Sequence, residues 1–209
     1  MSGKTKHPLA VMEEVAAELV GILGPHCARL EVGGSIRRRK AECSDIELVA
    51  IPLVIEHERP SGLFELEIVK EDQLALVCES LFDRLDERGR SLWEKRLDTN
   101  GRPAWGALHK RARWRDFAVD LFCATPANFG WIMVLRTGPA EFSHRLVTER
   151  RKGGCMPEWM QGRGGALMSG GVAVPTPTED AVFLALGIDY VPPELRTDSW
   201  RPARVGAAW

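Results

Sequence analysis

Apolar residues recur at helical spacing over residues 8–23, where Leu9, Met12, Ala16, Leu19, Val20 and Leu23 fall on one face and Gly24-Pro25 ends the run. The period then changes. Residues 28–32 read as a short strand running into Gly33-Gly34-Ser35, and residues 45–51 as a second strand ended at Pro52. The polar stretch from there to about Lys70 predicts a loop. Leu74, Val77, Cys78, Leu81, Phe82 and Leu85 mark a helix closed by Gly89. Residues 93–97, 106–114 and 117–124 read as strands, with turn signals at Asn100-Gly101 and Arg115-Asp116. After that the pattern is helical. Thr125-Pro126 supplies a cap and a first-turn proline, Phe129, Ile132 and Leu135 follow on one face, and Thr137-Gly138-Pro139 breaks the helix. A second helix from Pro139 carries Phe142 and Leu146 and stops at Gly153-Gly154. The glycine-rich residues 162–171 read as a loop or a small hairpin, and Thr178-Glu179-Asp180 caps a last helix, with Val182, Phe183 and Leu186, stopped by Gly187. Strands early and helices late give an α+β fold.

With 209 residues, 44% of them hydrophobic, the chain can bury a good core as one domain or two small ones. No apolar run approaches the roughly 20 residues of a membrane span, and the N-terminus lacks the basic-then-apolar layout of a secretory signal, so a cytoplasmic protein is expected. Cys27, Cys43, Cys78, Cys123 and Cys155 are odd in number, widely spread and without a Cys-x-x-Cys pair, which fits reduced thiols. The net charge of −1 hides an uneven distribution. Residues 37–40, residues 110–115 and the group Arg145, Arg150, Arg151 and Lys152 are basic, while residues 56–87 are dominated by acids. Segregation of this kind gives a neutral protein one basic face for nucleic acid, or else simply solvated surfaces.

The chemistry gathers around Gly33-Gly34-Ser35-Ile36-Arg37-Arg38 and the segment Asp45-Ile46-Glu47-Leu48-Val49. Two small residues let the backbone approach an anion, the Ser35 hydroxyl and free N–H groups can donate to phosphate oxygens, and Arg38 can fork onto them. Asp45 and Glu47, two apart in an apolar run, fall on one strand face about 7 Å apart, a pair able to hold magnesium. In Phe117-Ala118-Val119-Asp120-Leu121-Phe122-Cys123 a single carboxylate interrupts an apolar strand, where an unpaired charge is expensive. A cation shared with Asp45 and Glu47 satisfies it if the strands are neighbours; an ion pair with an arginine such as Arg115 or Arg38 does so equally.

Gly34-Ser35-x-Arg37-Arg38, Asp45-x-Glu47, Val119-Asp120-Leu121, Thr137-Gly138 with Phe142, Pro177-Thr178-Glu179-Asp180 with Phe183 and Leu186-Gly187, and Pro192-Pro193-Glu194-Leu195-Arg196 occur in an order that resembles family X DNA polymerases. These are the polymerase beta branch of the nucleotidyltransferase superfamily, and the resemblance spans about residues 8–198. It implies a palm over residues 1–125, a mixed sheet with helices on one side, and a small mainly helical thumb over residues 126–209. It looks like a minimal viral or phage type with palm and thumb only.

By that resemblance Asp45, Glu47 and Asp120 are the catalytic ligands of two Mg2+ ions, for which Mn2+ can substitute. Gly34, Ser35, Arg38, Arg136, Thr137 and Gly138 bind the nucleotide, and Lys110, Arg111, Arg145, Arg150 and Arg151 face nucleic acid. The implied partners are a DNA primer-template or gapped duplex and dNTPs, or rNTPs, and the implied state is a monomer in a bacterial or infected host cell. The implied activity is DNA nucleotidyl transfer to a primer 3'-hydroxyl in short gap-filling repair. A nucleotidyltransferase acting on RNA, tRNA, a protein or a small molecule, and a non-catalytic nucleic-acid-binding palm, are the alternatives. Three positions depart from the family: Glu47 where it has Asp, Leu135-Arg136 where it has an aromatic pair, and Ser143 where it has the Asn that reads the nascent minor groove. Weak sugar selectivity is the expected result of the second.

Overall fold

The computed structural model describes residues 5–61, 65–98 and 100–202. Strand β1 (His7–Pro8) leads into α1 (Leu9–Leu23), β2 (Cys27–Val32), the short α2 (Gly34–Arg37), β3 (Glu42–Cys43) and β4 (Ile46–Pro52). Next come β5 (Val54–Pro60), β6 (Leu66–Asp72), α3 (Gln73–Ser80), β7 (Trp93–Lys95), β8 (His109–Trp114) and β9 (Phe117–Cys123). Helices α4 (Phe129–Thr137) and α5 (Ala140–Val147), strands β10 (Met160–Arg163), β11 (Ala166–Ser169) and β12 (Val172–Val174), and α6 (Glu179–Leu186) complete the chain. None of the described helices is long and apolar enough to cross a membrane.

A mixed sheet in the order β2-β4-β9-β8-β7 organises the first part, antiparallel at every pairing except the parallel β4 and β9. Period-two alternation sorts its residues. Ile46, Leu48 and Ala50 of β4 and Val119, Leu121 and Cys123 of β9 turn toward α1 and α3, joining Met12, Leu19, Leu23, Leu74 and Leu81 in one buried core. The alternate residues Val49, Phe122 and Ala124 meet Phe129 and Met133 of α4 on the other face. Helix α4 therefore covers one end of that face and leaves the end bearing Glu47 and Asp120 open.

A further core forms where Trp131 and Val134 of α4 pack with Phe142, Leu146, Leu167, Val182, Phe183 and Leu186. Gly130 makes that packing possible: a Cβ there would lie 2.0 Å from the Thr178 carbonyl oxygen, and its N–H donates to Thr176 O at 2.8 Å.

Four expectations change in detail. The stretch after Pro52 is a hairpin of β5 and β6 with seven paired positions. The glycine-rich residues 162–171 are part of a three-stranded antiparallel sheet, β10-β11-β12. The N-cap of α4 is Asn128, with Thr125 N donating to its Oδ1 at 2.7 Å, and α5 ends at Thr148, before the glycine pair.

Candidate active site

The parallel pairing sets Glu47 of β4 directly against Asp120 of β9, and Asp45 stands one residue before β4 begins. The strand neighbourhood on which a shared cation depends is therefore present. Beside it, Gly33 N donates to Glu47 O at 2.7 Å, which locks the glycine turn to the acidic strand. Gly34 opens α2 at φ +64°, and a Cβ there would lie 2.3 Å from Glu47 Oε2. Only glycine combines that backbone with that closeness. Ser35 follows, its buried hydroxyl without a hydrogen-bond partner. Arg38 caps α2 and donates from Nη1 to the Thr137 carbonyl oxygen, while its buried Nε has no partner.

Asp120 is held by cations rather than by a neighbouring carboxylate. Its Oδ1 accepts from Arg111 Nε at 2.8 Å and lies 3.0 Å from His109 Nε2, both on the adjacent β8, and Arg96 Nη1 stands 3.7 Å from Oδ2. Burial alone would raise the Asp120 pKa. The His109 hydrogen bond and the charges of Arg111 and Arg96 outweigh it and hold the carboxyl below its ordinary value. The arginines named from the sequence are engaged elsewhere: Arg115 binds Glu18 at 2.6 Å, and Arg38 binds Thr137.

Glu47 shows the opposite balance. Burial pushes its carboxyl up to about 7, the charges of Asp45 and Asp120 add to the rise, and Arg136 and Arg38 offset part of it. Arg136 and Arg38 compensate this half-buried carboxylate only in part, and hard oxygen donors are what a divalent cation takes. Among the described residues no three such side chains converge on one point as a finished metal cage does. The reason is visible at Asp120, whose carboxylate is drawn toward β8 while Glu47 lies on the strand at its other side. The donor chemistry fits the cation, and Asp120 Oδ2 carries only the 3.7 Å ion pair with Arg96.

The second wall comes from α4 and the turn after it. Leu135, Arg136, Gly138, Pro139, Ala140 and Ser143 border an open cleft of about 420 Å³ whose other side is Ser35, Arg38, Ser44, Asp45 and Glu47. Arg136 is exposed, its guanidinium 4.0 Å above the Phe122 ring, and His109 stacks on the same ring at 4.3 Å and 7°. An aromatic surface thus lies beneath Arg136, supplied by β9. Ser143 donates to the Leu135 carbonyl at 2.7 Å and so braces the turn. Thr137 is fully buried and its hydroxyl accepts from Arg37 Nη1 at 3.2 Å.

Sequence reasoning missed one element of this architecture. Glu179 at the start of α6 accepts from Arg37 Nη2 at 2.7 Å and from Arg196 Nη1 at 2.6 Å, with Arg196 fully buried. Burial works against the Glu179 charge, but the two guanidinium groups win and hold its carboxyl below the usual range. The only local signal was an acid in the first turn of a helix; its partners lie 142 and 17 residues away.

The residues expected at nucleic acid fall in different settings. Lys110 is buried instead, donating to Gly106 O at 2.9 Å and facing the Trp105 ring, because alternation puts it with Ala112 and Trp114 on the core side of β8. Arg111 faces the site through Asp120. Arg150 donates to the Leu186 and Cys155 carbonyls at 2.5 and 3.3 Å, closing the end of α6. Arg151 is exposed and paired with Glu149, and Arg145 is half-buried with an unpartnered Nε.

No protein-family model matches the chain. Over 171 residues it is 26% identical to DNA polymerase lambda of Rattus norvegicus. That stretch covers 78% of this chain and 28% of that protein, so the chain spans under a third of the length of its relative. The likeness to that polymerase is distant.

Proposed function

We propose that the chain is a divalent-metal-dependent DNA nucleotidyltransferase of the polymerase beta kind, which extends a primer 3'-hydroxyl and fills short gaps in repair. The observation that carries this reading is one cleft in which the Gly34-Ser35 turn and Arg38 face Asp45 and Glu47, with Asp120 in register beside Glu47. The distant likeness to DNA polymerase lambda supports it.

In this reading residues 1–125 act as palm and residues 126–209 as thumb. The Ser35 hydroxyl, the backbone N–H groups of the Gly34 turn and Arg38 bind the β and γ phosphates. Arg136, Thr137 and Gly138 form the wall against the nucleotide. Asp45, Glu47 and Asp120 hold Mg2+, or Mn2+, which when bound neutralises the triphosphate and lowers the pKa of the attacking hydroxyl. Arg111 and His109 keep Asp120 ionised and oriented toward the primer side. Arg145 and Arg151 meet the DNA backbone.

The test is primer extension with a gapped duplex, an open template-primer and a single strand, each with dNTPs and rNTPs. Metal-dependent extension of the gapped duplex is expected, with loss of about a thousandfold or more in Asp45→Ala and in Asp120→Ala, since each removes a charged ligand. Extension at the parental rate by either folded variant would overturn the site, and transfer to RNA or a small acceptor alone would overturn the DNA substrate.

A further inference from the structure

Hairpin β5–β6 stands outside the buried cores. All seven residues of β5 are exposed, and so are Leu66, Glu67, Ile68 and Lys70 of β6. A two-stranded ribbon is marginal in water by itself and has two open edges. Its register groups Val54, Glu56, Glu58 and Pro60 with Leu66, Ile68, Lys70 and Asp72 on one face. Toward the turn, Glu58 lies opposite Ile68 and Pro60 opposite Leu66, and the two aliphatic side chains are 64% and 65% exposed. This is an apolar patch centred on an acid.

Charge narrows what can cover it. Between residues 54 and 72 stand six acids (Glu56, Glu58, Glu65, Glu67, Glu71 and Asp72) and two bases (Arg59 and Lys70), a net charge of −4. Both bases are already paired within the hairpin, Lys70 with Glu56 at 2.7 Å and Arg59 with Glu67 at 3.4 Å. A nucleic acid is repelled. A second copy brings the same net negative charge to the contact. A strand of alternating basic and aliphatic residues along β5 sets its bases beside Glu56 and Glu58, sets its aliphatic residues beside the exposed Ile55 on the opposite face, and pairs the open backbone.

We propose that hairpin β5–β6 is a docking arm for a partner protein, taking an extended segment of alternating basic and aliphatic residues as a third strand along β5. The side of β6 is less open, since Val69, Glu71 and Asp72 are partly covered and Asp72 caps α3 through Ala75 N. Pairing along β5 leaves the cleft free, so the arm serves recruitment rather than the reaction.

The probe is a fluorescent Lys-Val-Lys-Val-Lys-Val peptide titrated with the full chain, beside its block-ordered isomer Lys-Lys-Lys-Val-Val-Val and beside duplex DNA, with amide exchange read along β5. The alternating peptide is expected to bind about tenfold tighter than its isomer and to slow exchange in β5, and Glu58→Lys to weaken it by about tenfold while primer extension stays unchanged. Should Glu58→Lys disturb the near-ultraviolet circular dichroism, the Glu56→Gln/Glu58→Gln variant reads the same loss without a reversed charge. Equal affinity for the two isomers, unchanged affinity in a folded variant, unslowed exchange in β5, or displacement of the peptide by DNA would each overturn the proposal. The peptide measurement does not depend on activity, so a chain that failed to extend primers would leave it standing.

Discussion

Glu47 is a carboxylate whose surroundings favour its proton. Between its ordinary value of 4.5 and about 7 the folded chain binds that proton more readily than the unfolded chain, so ionising Glu47 weakens folding as pH rises through this window. The groups that set the shift are burial, Asp45 and Asp120 on one side and Arg136 and Arg38 on the other. In metal-free buffer Glu47→Gln should therefore melt above the parent near pH 8 and show no such gain near pH 4, as followed by thermal denaturation with a chelator present. Magnesium should stabilise the parent more above pH 7 than at pH 5, because the proton must leave before the cation binds. An advantage of Glu47→Gln confined to acid pH would show that the site does not strain this residue.

At the scale of elements, α2, α6 and the segment after α6 are joined by the Arg37–Glu179–Arg196 triad. Removing one member of a buried ion pair strands the others, which costs about 3–5 kcal/mol. Glu179→Ala should lose stability of that order in urea titration, and Glu179→Leu/Arg196→Met should recover most of it by replacing charge with packing. A neutral effect of Glu179→Ala would mean that solvent reaches Arg196 readily. The sequence could not announce this triad, since Arg37 lies 142 residues and Arg196 17 residues from Glu179, both beyond the reach of a local pattern. It did announce the acid-bearing strands, because Val119-Asp120-Leu121 sets one acid among core residues at period two, and because the glycine turn precedes Asp45 so closely. The same alternation, applied to His109-Lys110-Arg111-Ala112, separates Lys110 from its basic neighbours and sends it to the Trp114 side; counting charge along the segment hid that. Hairpin β5–β6 was illegible for a physical reason: with little of it buried, no hydrophobic periodicity distinguishes it from a polar loop. The cleft was legible on the side of the glycine turn, whereas the Phe122 ring beneath Arg136 required knowing that α4 folds back over β9.

Over the whole molecule a net charge of −1 divides into an acidic arm and scattered bases, so on the proposed function association with DNA depends on a few placed residues rather than on bulk charge. DNA affinity should fall steeply with salt, and Arg151→Glu or Arg145→Glu should each flatten that dependence by about one counterion, measured by anisotropy across a salt series. Arg150→Glu should instead lower thermal stability, since its guanidinium closes α6 and Cys155. Affinity independent of salt would count against DNA as the partner. The pairing of β4 with β9 carries a wider consequence. Parallel strands cannot be joined by a tight turn, so after Pro52 the chain leaves β4 and comes back beside it only at Phe117, having laid down β8 and β7 on the far side of β9 first. Hairpin β5–β6 and the loop between β7 and β8 lie on that excursion, where added length costs little closure entropy. Inside β9 the opposite holds: one extra residue ahead of Asp120 would turn the acid toward α1 and bring an aliphatic side chain into the cleft. The molecule can thus grow or shrink in its middle and keep its chemistry, while a slip of a single position in a seven-residue strand would erase it.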